Sequence, residues 1–214
     1  MSTSSCSLVW ITPEAEKQIV LMARVSNPKG QATERSPNGL IQYLAKHKHW
    51  SPFEMASMCV EISTTKDIAC QILRHRSFSF QEFSQRYAQP DLLGTPGVPE
   101  LRLQDHANRQ NSLVDDFGVL AEEFDGRIKE LFRQSEQLYQ DMLLRGTAKE
   151  CARKVLPLNT PTRLYMSGTI RSWIHYLSIR RGPETQKEHR EVAQGIGGIF
   201  KTNLPIISEA LLDD

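Results

Sequence analysis

Cationic, hydroxyl and aromatic side chains are concentrated between residues 71 and 87. The run Arg-His-Arg at 74–76 is followed by Ser84 and Arg86, with Phe and Tyr residues between and after them. Arginine offers planar, paired donors that match a phosphate, and aromatic rings offer apolar walls for a heterocycle. The stretch therefore predicts a site for an anionic ligand that carries a flat ring. The alternative is a solvated basic helix end whose aromatic residues belong to the core.

The periodicity of this stretch changes at residue 76. Before it, apolar residues recur at helical spacing, which predicts a helix over 68–76 with Thr64 as its N-cap. After it, an extended segment would place alternate side chains on one face. The polar side chains that the helix end and this segment would bring to one pocket are Gln71, Arg74, Glu82, Ser84 and Arg86.

The rest of the chain predicts helices with a few strands and no alternating βαβ pattern, which indicates an α+β fold with a small, mainly antiparallel sheet. Residues 89–114 are rich in Pro and Gly and predict a loop or insert. Strands are predicted at 7–11, around 58–62 and at 162–168, and the longer helices at 13–24, 115–145, 169–180 and after 185. Capping patterns begin at Thr147 and Thr185, and a helix begins at Thr169. The last helix contains Gly195, Gly197 and Gly198, which predicts close packing against another helix, of this chain or of a second subunit.

Five blocks, in order, resemble the flavin-dependent thymidylate synthases. The first is Arg-His-Arg at 74–76, which with seven intervening residues and Ser84 resembles the family signature. The others lie at 23–26 (Ala-Arg-Val-Ser), 49–54 (His-Trp-Ser-Pro-Phe-Glu), 150–159 and 171–180. Because the blocks follow the family's order and span most of the chain, the chain is identified by resemblance as a member of this family.

The resemblance implies an activity, cofactors and an assembly. The implied reaction is the reductive methylation of dUMP to dTMP, in which methylenetetrahydrofolate supplies the carbon and FAD, reduced by NADPH, supplies the hydride. It also implies an α+β fold and homotetramers whose active sites draw on several subunits.

The family's motifs also imply site residues at the matching positions. The positions that match dUMP contacts are Gln71, Arg74, Glu82, Ser84, Gln85, Arg86, Arg153 and Arg180. The positions that match FAD contacts are Ser26, His49, Ser51, Glu54, Arg74, His75, Arg76, Glu82, Thr169, Arg171 and His175. Family members often have Asn where Thr169 and His175 stand, and His near Glu184. We leave Glu184 unassigned because a carboxylate repels phosphates.

The implied chemistry requires a more electron-rich uracil ring, because uracil C5 is a poor nucleophile. An enzyme nucleophile can add to C6, or a positive charge can stabilise the ring as an anion. We predict that Arg180 provides this charge and that Ser84 positions dUMP. Two alternatives stay open: Ser84 as a nucleophile with His75 or Glu82 as its base, and Arg180 as an arginine that only extends to solvent.

Bulk properties limit the other classes of function. The 214 residues carry 26 basic and 25 acidic side chains, so the net charge of +1 disfavours a general nucleic-acid binder. We predict one domain over 1–214, no membrane span, no metal site and a cytoplasmic location with reduced cysteines. Two rival functions remain: a nucleotide or nucleic-acid binding module, and a flavoprotein without synthase activity.

Overall fold

A four-stranded antiparallel sheet lies at the centre of the fold. In the computed structural model, which describes residues 4–27 and 36–212, each strand of this sheet pairs antiparallel with its neighbours. The strands are, in spatial order, β1 (Ser5–Ile11), β2 (Ser57–Thr65), β6 (Pro161–Thr169) and β3 (Ser79–Glu82). A separate hairpin pairs β4 (Arg102–Gln104) with β5 (Ser112–Val114).

Helices make up most of the remaining described residues. The α-helices are α1 (Ala15–Ala23), α2 (Asn38–Lys46), α3 (Lys66–Ile72), α4 (Val119–Leu144), α5 (Lys149–Ala152), α6 (Ile170–Arg180), α7 (Lys187–Asn203) and α8 (Pro205–Leu211). Short 3-10 turns lie at Ser51–Glu54, Pro90–Leu93 and Arg153–Val155. The predicted α+β fold with a small antiparallel sheet is confirmed.

The hydrophobic core joins the sheet to α6 and α7. Alternate side chains of β2, among them Met58 and Val60, are fully buried because a strand directs successive side chains to opposite faces. The indole nitrogen of the buried Trp173 in α6 donates to the Met58 carbonyl oxygen at 3.0 Å. The start of α6 is therefore fixed against the sheet by both packing and a hydrogen bond.

Two of the three glycines in the C-terminal half of α7 have side-chain neighbours within the described chain, Gly195 and Gly197. A Cβ at Gly195 would lie 3.5 Å from the Cys6 Sγ of β1, so the close neighbour there is a strand of the same chain. A Cβ at Gly198 would meet nothing within 4 Å among the described residues. Within the described chain the close neighbour of Gly195 is therefore β1, and packing of α7 against a helix of a second subunit stays a prediction.

Residues 89–114 contain more structure than the predicted loop. They include the 3-10 turn at Pro90–Leu93 and the β4–β5 hairpin. Arg102 of β4 forms an ion pair with Glu188 at 2.7 Å, and the Asn159 side chain donates to the Gly97 carbonyl oxygen at 2.8 Å. The insert is therefore attached to the start of α7 and to the segment before β6.

In the described chain none of the three predicted caps (Thr64, Thr147 and Thr185) is observed, whereas Thr169, predicted only to begin a helix, is a cap. Thr169 caps α6, with its hydroxyl oxygen accepting a hydrogen bond from the Ser172 backbone N–H at 3.2 Å. Thr64 is instead buried in β2, and Ala148 rather than Thr147 precedes α5. The Thr185 hydroxyl donates to the Ile179 carbonyl oxygen and Gln186 precedes α7. A capping pattern is short, and sheet or tertiary contacts take these hydroxyls instead.

The signature stretch also differs from the predicted local structure. Helix α3 ends at Ile72, so the Arg-His-Arg run lies in the turn that follows it. The extended segment ends at Glu82, and the Tyr87 backbone N–H donates to the Ser84 carbonyl oxygen at 3.0 Å. Because the chain turns after Ser84, the prediction that Glu82, Ser84 and Arg86 share one face was wrong.

Candidate active site

Arg180, at the last position of α6, contacts His75 in the turn after α3. The Arg180 Nε donates to the His75 Nε2 at 3.0 Å. Both side chains are half-buried. In the described part of the chain, Arg180 forms no ion pair with a carboxylate. Its two terminal nitrogens are therefore available to an anionic or electron-rich ligand, and the predicted role of Arg180 stays a prediction.

His75 is neutral in this arrangement. Burial, followed by the positive charges of Arg180 and His175, lowers the pKa of His75 to about 4. A neutral imidazole carries one proton, and since Nε2 accepts from Arg180, that proton lies on Nδ1. His75 therefore orients the guanidinium without neutralising it, and it is a weak base at neutral pH.

The geometry does not support Ser84 as an activated nucleophile. A nucleophilic serine needs a base within hydrogen-bond reach. Among the described residues, the Ser84 hydroxyl oxygen forms a single hydrogen bond, a long one from the Arg86 backbone N–H at 3.4 Å. His75 Nε2 is already bonded to Arg180, and the Glu82 carboxylate accepts from Lys66 at 2.8 Å and from the Thr162 hydroxyl at 3.0 Å. Neither of the predicted bases contacts Ser84.

A buried histidine that the sequence reasoning missed lies beside this pair. His189 of α7 is fully buried, and its ring nitrogens lie 3.3 Å from the Gln71 Oε1 and 3.1 Å from the Tyr176 hydroxyl oxygen. Burial, followed by the charges of Arg180 and His75, lowers the pKa of His189 to about 4. Its position on the apolar arc of α7, together with Val192 and other core residues, was the available signal.

The turn after Ser84 meets the block around Arg153. Arg86 forms an ion pair with Glu150 of α5 at 3.3 Å, and the Lys149 Nζ donates to the Tyr87 carbonyl oxygen at 3.1 Å. Arg153 follows α5 directly and, within residues 4–27 and 36–212, has no carboxylate partner. Gln85 is buried at 6% exposure. The two predicted dUMP-binding blocks are thus neighbours, although Arg86 already has a partner.

The predicted flavin-side residues form a second group. Arg171 at the start of α6 pairs with Glu54 of the 3-10 turn that begins at Ser51. His49 lies before this turn with its ring 5.9 Å from that of Tyr43 and 6.0 Å from that of His47.

The remaining predicted flavin-side residues lie at the surface. Ser26 is exposed after α1, and His175 is exposed on α6. Arg74 and Arg76 are exposed as well and, so far as the described residues show, have no carboxylate partner. Unpaired guanidinium groups suit the phosphates of a dinucleotide.

A cavity of about 1020 Å³ lies beneath the 89–114 insert and not at these residues. Its wall includes Asp67, Asp115 and Asp125, and the paired groups Arg102 and Glu188. This cavity is not lined by Arg74, Ser84 or Arg180. Carboxylates predominate among its charged residues, which disfavours a phosphorylated ligand there. The candidate nucleotide site is therefore the surface formed by the 74–87 segment, the end of α6 and the start of α7.

Comparison with known proteins places the chain in a family. Residues 7–206 match the sequence model of the family described as thymidylate synthase complementing protein. The chain belongs to this family. The family relationship inferred from the sequence motifs is confirmed.

Family members of similar sequence are named as flavin-dependent thymidylate synthases. The chain is 50% identical over 201 residues to a probable flavin-dependent thymidylate synthase of Paramecium bursaria Chlorella virus 1, covering 92% of this chain and 90% of that protein. It is 49% identical over 199 residues to the flavin-dependent thymidylate synthase of Synechocystis, covering 92% and 89%.

The fold also resembles a solved nucleotide methylase. A UMP/dUMP methylase, PolB from Streptomyces cacaoi, bound with 5-Br dUMP, superposes with a TM-score of 0.84 at 27% identity and covers 98% of this chain and 95% of that one. The same methylase bound with 5-Br UMP gives a TM-score of 0.82. The family's fold is thus present across nearly the whole chain.

The described residues offer neither a metal cluster nor a membrane-spanning helix. Over residues 4–27 and 36–212, no cluster of three or more His, Cys, Asp or Glu side chains could hold a metal ion. None of the helices described is both long enough and apolar enough to cross a membrane. The candidate site is accordingly built from arginine, histidine, amide and hydroxyl groups.

Proposed function

We propose that this protein methylates dUMP to dTMP with a flavin cofactor. The observation that carries the proposal is an unpaired guanidinium, Arg180, that is oriented by the neutral His75 and acts electrostatically on the buried His189, which contacts Gln71. The family membership and the named activities of relatives of about 50% identity support the same reaction. The nucleotide methylase with a TM-score of 0.84 supports a pyrimidine nucleotide as the substrate.

Arg180 has a definite task in this reaction. A fixed positive charge beside the uracil ring stabilises the electron density that C5 needs before it can take a one-carbon unit. Because His75 is neutral, it holds the guanidinium by a hydrogen bond and leaves its charge intact. Ser84, which has no base, is left with a positioning role for the nucleotide.

FAD is the proposed flavin, and the residues present fit it. Arg74 and Arg76 are exposed cations without ion-pair partners in the described chain, as a pyrophosphate requires. When bound, the flavin supplies the hydride that converts the transferred carbon to a methyl group. NADPH and methylenetetrahydrofolate are the proposed co-substrates, and no metal is required.

The first prediction concerns flavin binding by Arg76. Arg76→Ala should lower flavin occupancy, by about ten-fold in affinity, because a charge-assisted contact to a phosphate is lost. Absorption spectra of protein reconstituted with excess FAD measure this directly. Arg145→Ala, an exposed arginine at the end of α4, is the matched control and should keep its flavin bands.

The overall proposal is tested on the unmodified protein. A yellow protein that releases tritium from [5-³H]dUMP in the presence of NADPH and methylenetetrahydrofolate supports it. A colourless protein after reconstitution would contradict flavin dependence and leave a nucleotide or nucleic-acid binding module. Yellow protein without tritium release would indicate a flavoprotein that has no synthase activity.

We further propose that the active unit is a homotetramer with shared active sites. On the single chain most predicted FAD residues are exposed, and most predicted dUMP residues are half-buried. Helix α4 is 26 residues long, yet Tyr139 is its one buried residue, and Leu131 and Leu138 are 61% and 49% exposed. Multi-angle light scattering should give about four times the monomer mass of 24.4 kDa. A fully active monomer would refute this.

We also propose a cytoplasmic location, because the cysteines are free thiols. The four thiols are free, and Cys70 and Cys151 are exposed. Exposed free thiols suit a reducing compartment.

A further inference from the structure

Gln71 belongs to a continuous chain of hydrogen bonds that connects α6, α3 and α7. The Gln71 Nε2 donates to the Gln186 Oε1 at 2.7 Å, and the Gln186 Nε2 donates to the Glu188 Oε2 at 2.9 Å. On its other side the Gln71 Oε1 lies 3.3 Å from the His189 Nδ1, and the His189 Nε2 lies 3.1 Å from the Tyr176 hydroxyl oxygen.

The Glu188 carboxylate sets the direction of this chain. It accepts hydrogen bonds only, and Arg102 of the insert holds it in the ionised form with contacts at 2.7 and 3.0 Å. Gln186 must therefore present its NH₂ to Glu188 and its oxygen to Gln71. Gln71 in turn must present its NH₂ to Gln186 and its oxygen to His189.

The proton of the neutral His189 ring lies on Nδ1. The Gln71 oxygen can only accept, so the His189 Nδ1 must donate to it. A neutral imidazole then has a lone pair on Nε2, which accepts from the Tyr176 hydroxyl. Each hydrogen bond in this series is donated in the same direction, from Tyr176 toward Glu188. Every group in the series therefore has a suitable partner.

We propose that His189 and Glu188 are positioning residues that fix the orientation of the Gln71 amide toward the pyrimidine nucleotide. This assignment rests on the proposed function, in which Gln71 contacts dUMP. Two bonds hold the Gln71 amide in one orientation, which leaves one N–H and one lone pair for the nucleotide. An amide that is fixed before binding needs no reorganisation when the nucleotide arrives.

The arrangement also connects the insert to the nucleotide site. Arg102 lies on β4, and its ion pair with Glu188 is the far end of the chain that begins at Tyr176. Glu188 and Gln186 line the cavity under the insert as well. The Glu188 carboxylate thus both attaches the 89–114 insert through Arg102 and orients the Gln71 amide.

Two substitutions at His189 separate positioning from packing. His189→Asn places an amide nitrogen where Nδ1 lies and can still donate to Gln71, whereas His189→Gln reaches toward Tyr176 and loses that donor. Both remove the same ring from the core. We expect His189→Gln to raise the Kd for dUMP about ten-fold. His189→Asn should raise the Kd by a factor that is several times smaller, and both variants should have similar flavin content. Calorimetric titration of the flavin-loaded protein with dUMP measures the difference.

Glu188→Gln tests the other end of the chain. A glutamine can donate as well as accept, so the Gln186 amide is free to reverse and the orientation of Gln71 is lost. We expect a raised KM for dUMP with a smaller change in kcat, and Glu191→Gln on the same helix should not share this effect. Equal losses of dUMP affinity in the two His189 variants would overturn the positioning assignment alone. A wild-type protein that binds flavin but no dUMP would overturn the proposed function and this assignment together.

Discussion

Arg180→Ala should lose dTMP formation by several orders of magnitude while the protein stays yellow. In the proposed reaction the guanidinium acts where electron density develops on the uracil ring, so its removal raises the barrier of the chemical step. Its Nε bond to the neutral His75 and the absence of an ion pair in the described chain leave its positive charge uncompensated. The measurement is dTMP formation, beside NADPH oxidation and the flavin spectrum.

Two further variants, Arg180→Lys and Ser84→Ala, should be compared with Arg180→Ala. Lysine keeps the charge but loses the planar group that spans His75 and the substrate, so Arg180→Lys should stay badly impaired. Ser84→Ala should lose less activity, because Ser84 has no base and would only position dUMP. A dead Ser84→Ala beside a nearly normal Arg180→Ala would reverse these roles and restore serine as the nucleophile.

Acidification from pH 7.5 to pH 5 should reduce the free energy of unfolding by about 2 kcal/mol through His189 alone. His189 is fully buried, and its folded pKa of about 4 lies below the ordinary 6.5. Between these two values the unfolded chain binds a proton that the folded chain does not. The stability is therefore complete above pH 6.5 and is lost as the pH falls toward 4.

His75 adds to this loss with the same sign, because its folded pKa is also about 4, although its half-exposed ring reduces the effect. Urea denaturation between pH 7.5 and pH 5 measures the slope. That range lies above the carboxyl groups of lowered pKa, such as Glu100 and Glu188. In His189→Gln the side chain does not titrate. The loss of unfolding free energy between pH 7.5 and pH 5 should therefore be smaller than in the wild type by about 2 kcal/mol. An unchanged slope in that variant would show that His189 is not held neutral by the fold.

Much of the architecture and the family could be predicted from the sequence. The alternation around Met58 and Val60 predicted β2, the spacing in 115–145 predicted α4, and Thr169 marked the start of α6. These elements follow local periodicity and a short-range cap, which the order of residues determines directly. The motifs likewise fixed the family, because each block is a run of neighbouring residues.

Local patterns failed where tertiary contacts compete for the same groups. Thr64 and Thr185 have the spacing of helix caps, but one hydroxyl lies in the sheet and the other donates to the end of α6. The segment after Glu82 has a polar alternation typical of a strand, but it turns at Ser84, where Arg86 meets Glu150. A period of two shows how a strand would expose its residues and not where the strand ends.

The sequence by itself determined the family and the fold class, and it predicted many of the chemical groups at the candidate site, though not His189. The tertiary structure alone decided how those groups act on one another. Arg180 and His75 are 105 residues apart in sequence, and His189 and Gln71 are 118 apart, yet each pair is in hydrogen-bond contact. Burial and the neighbouring positive charge lower the pKa values of both histidines, and the Glu188 carboxylate fixes the direction of the amides. Protonation and hydrogen-bond direction depend on solvent exclusion and on partners distant in sequence, which no local spacing of residues encodes.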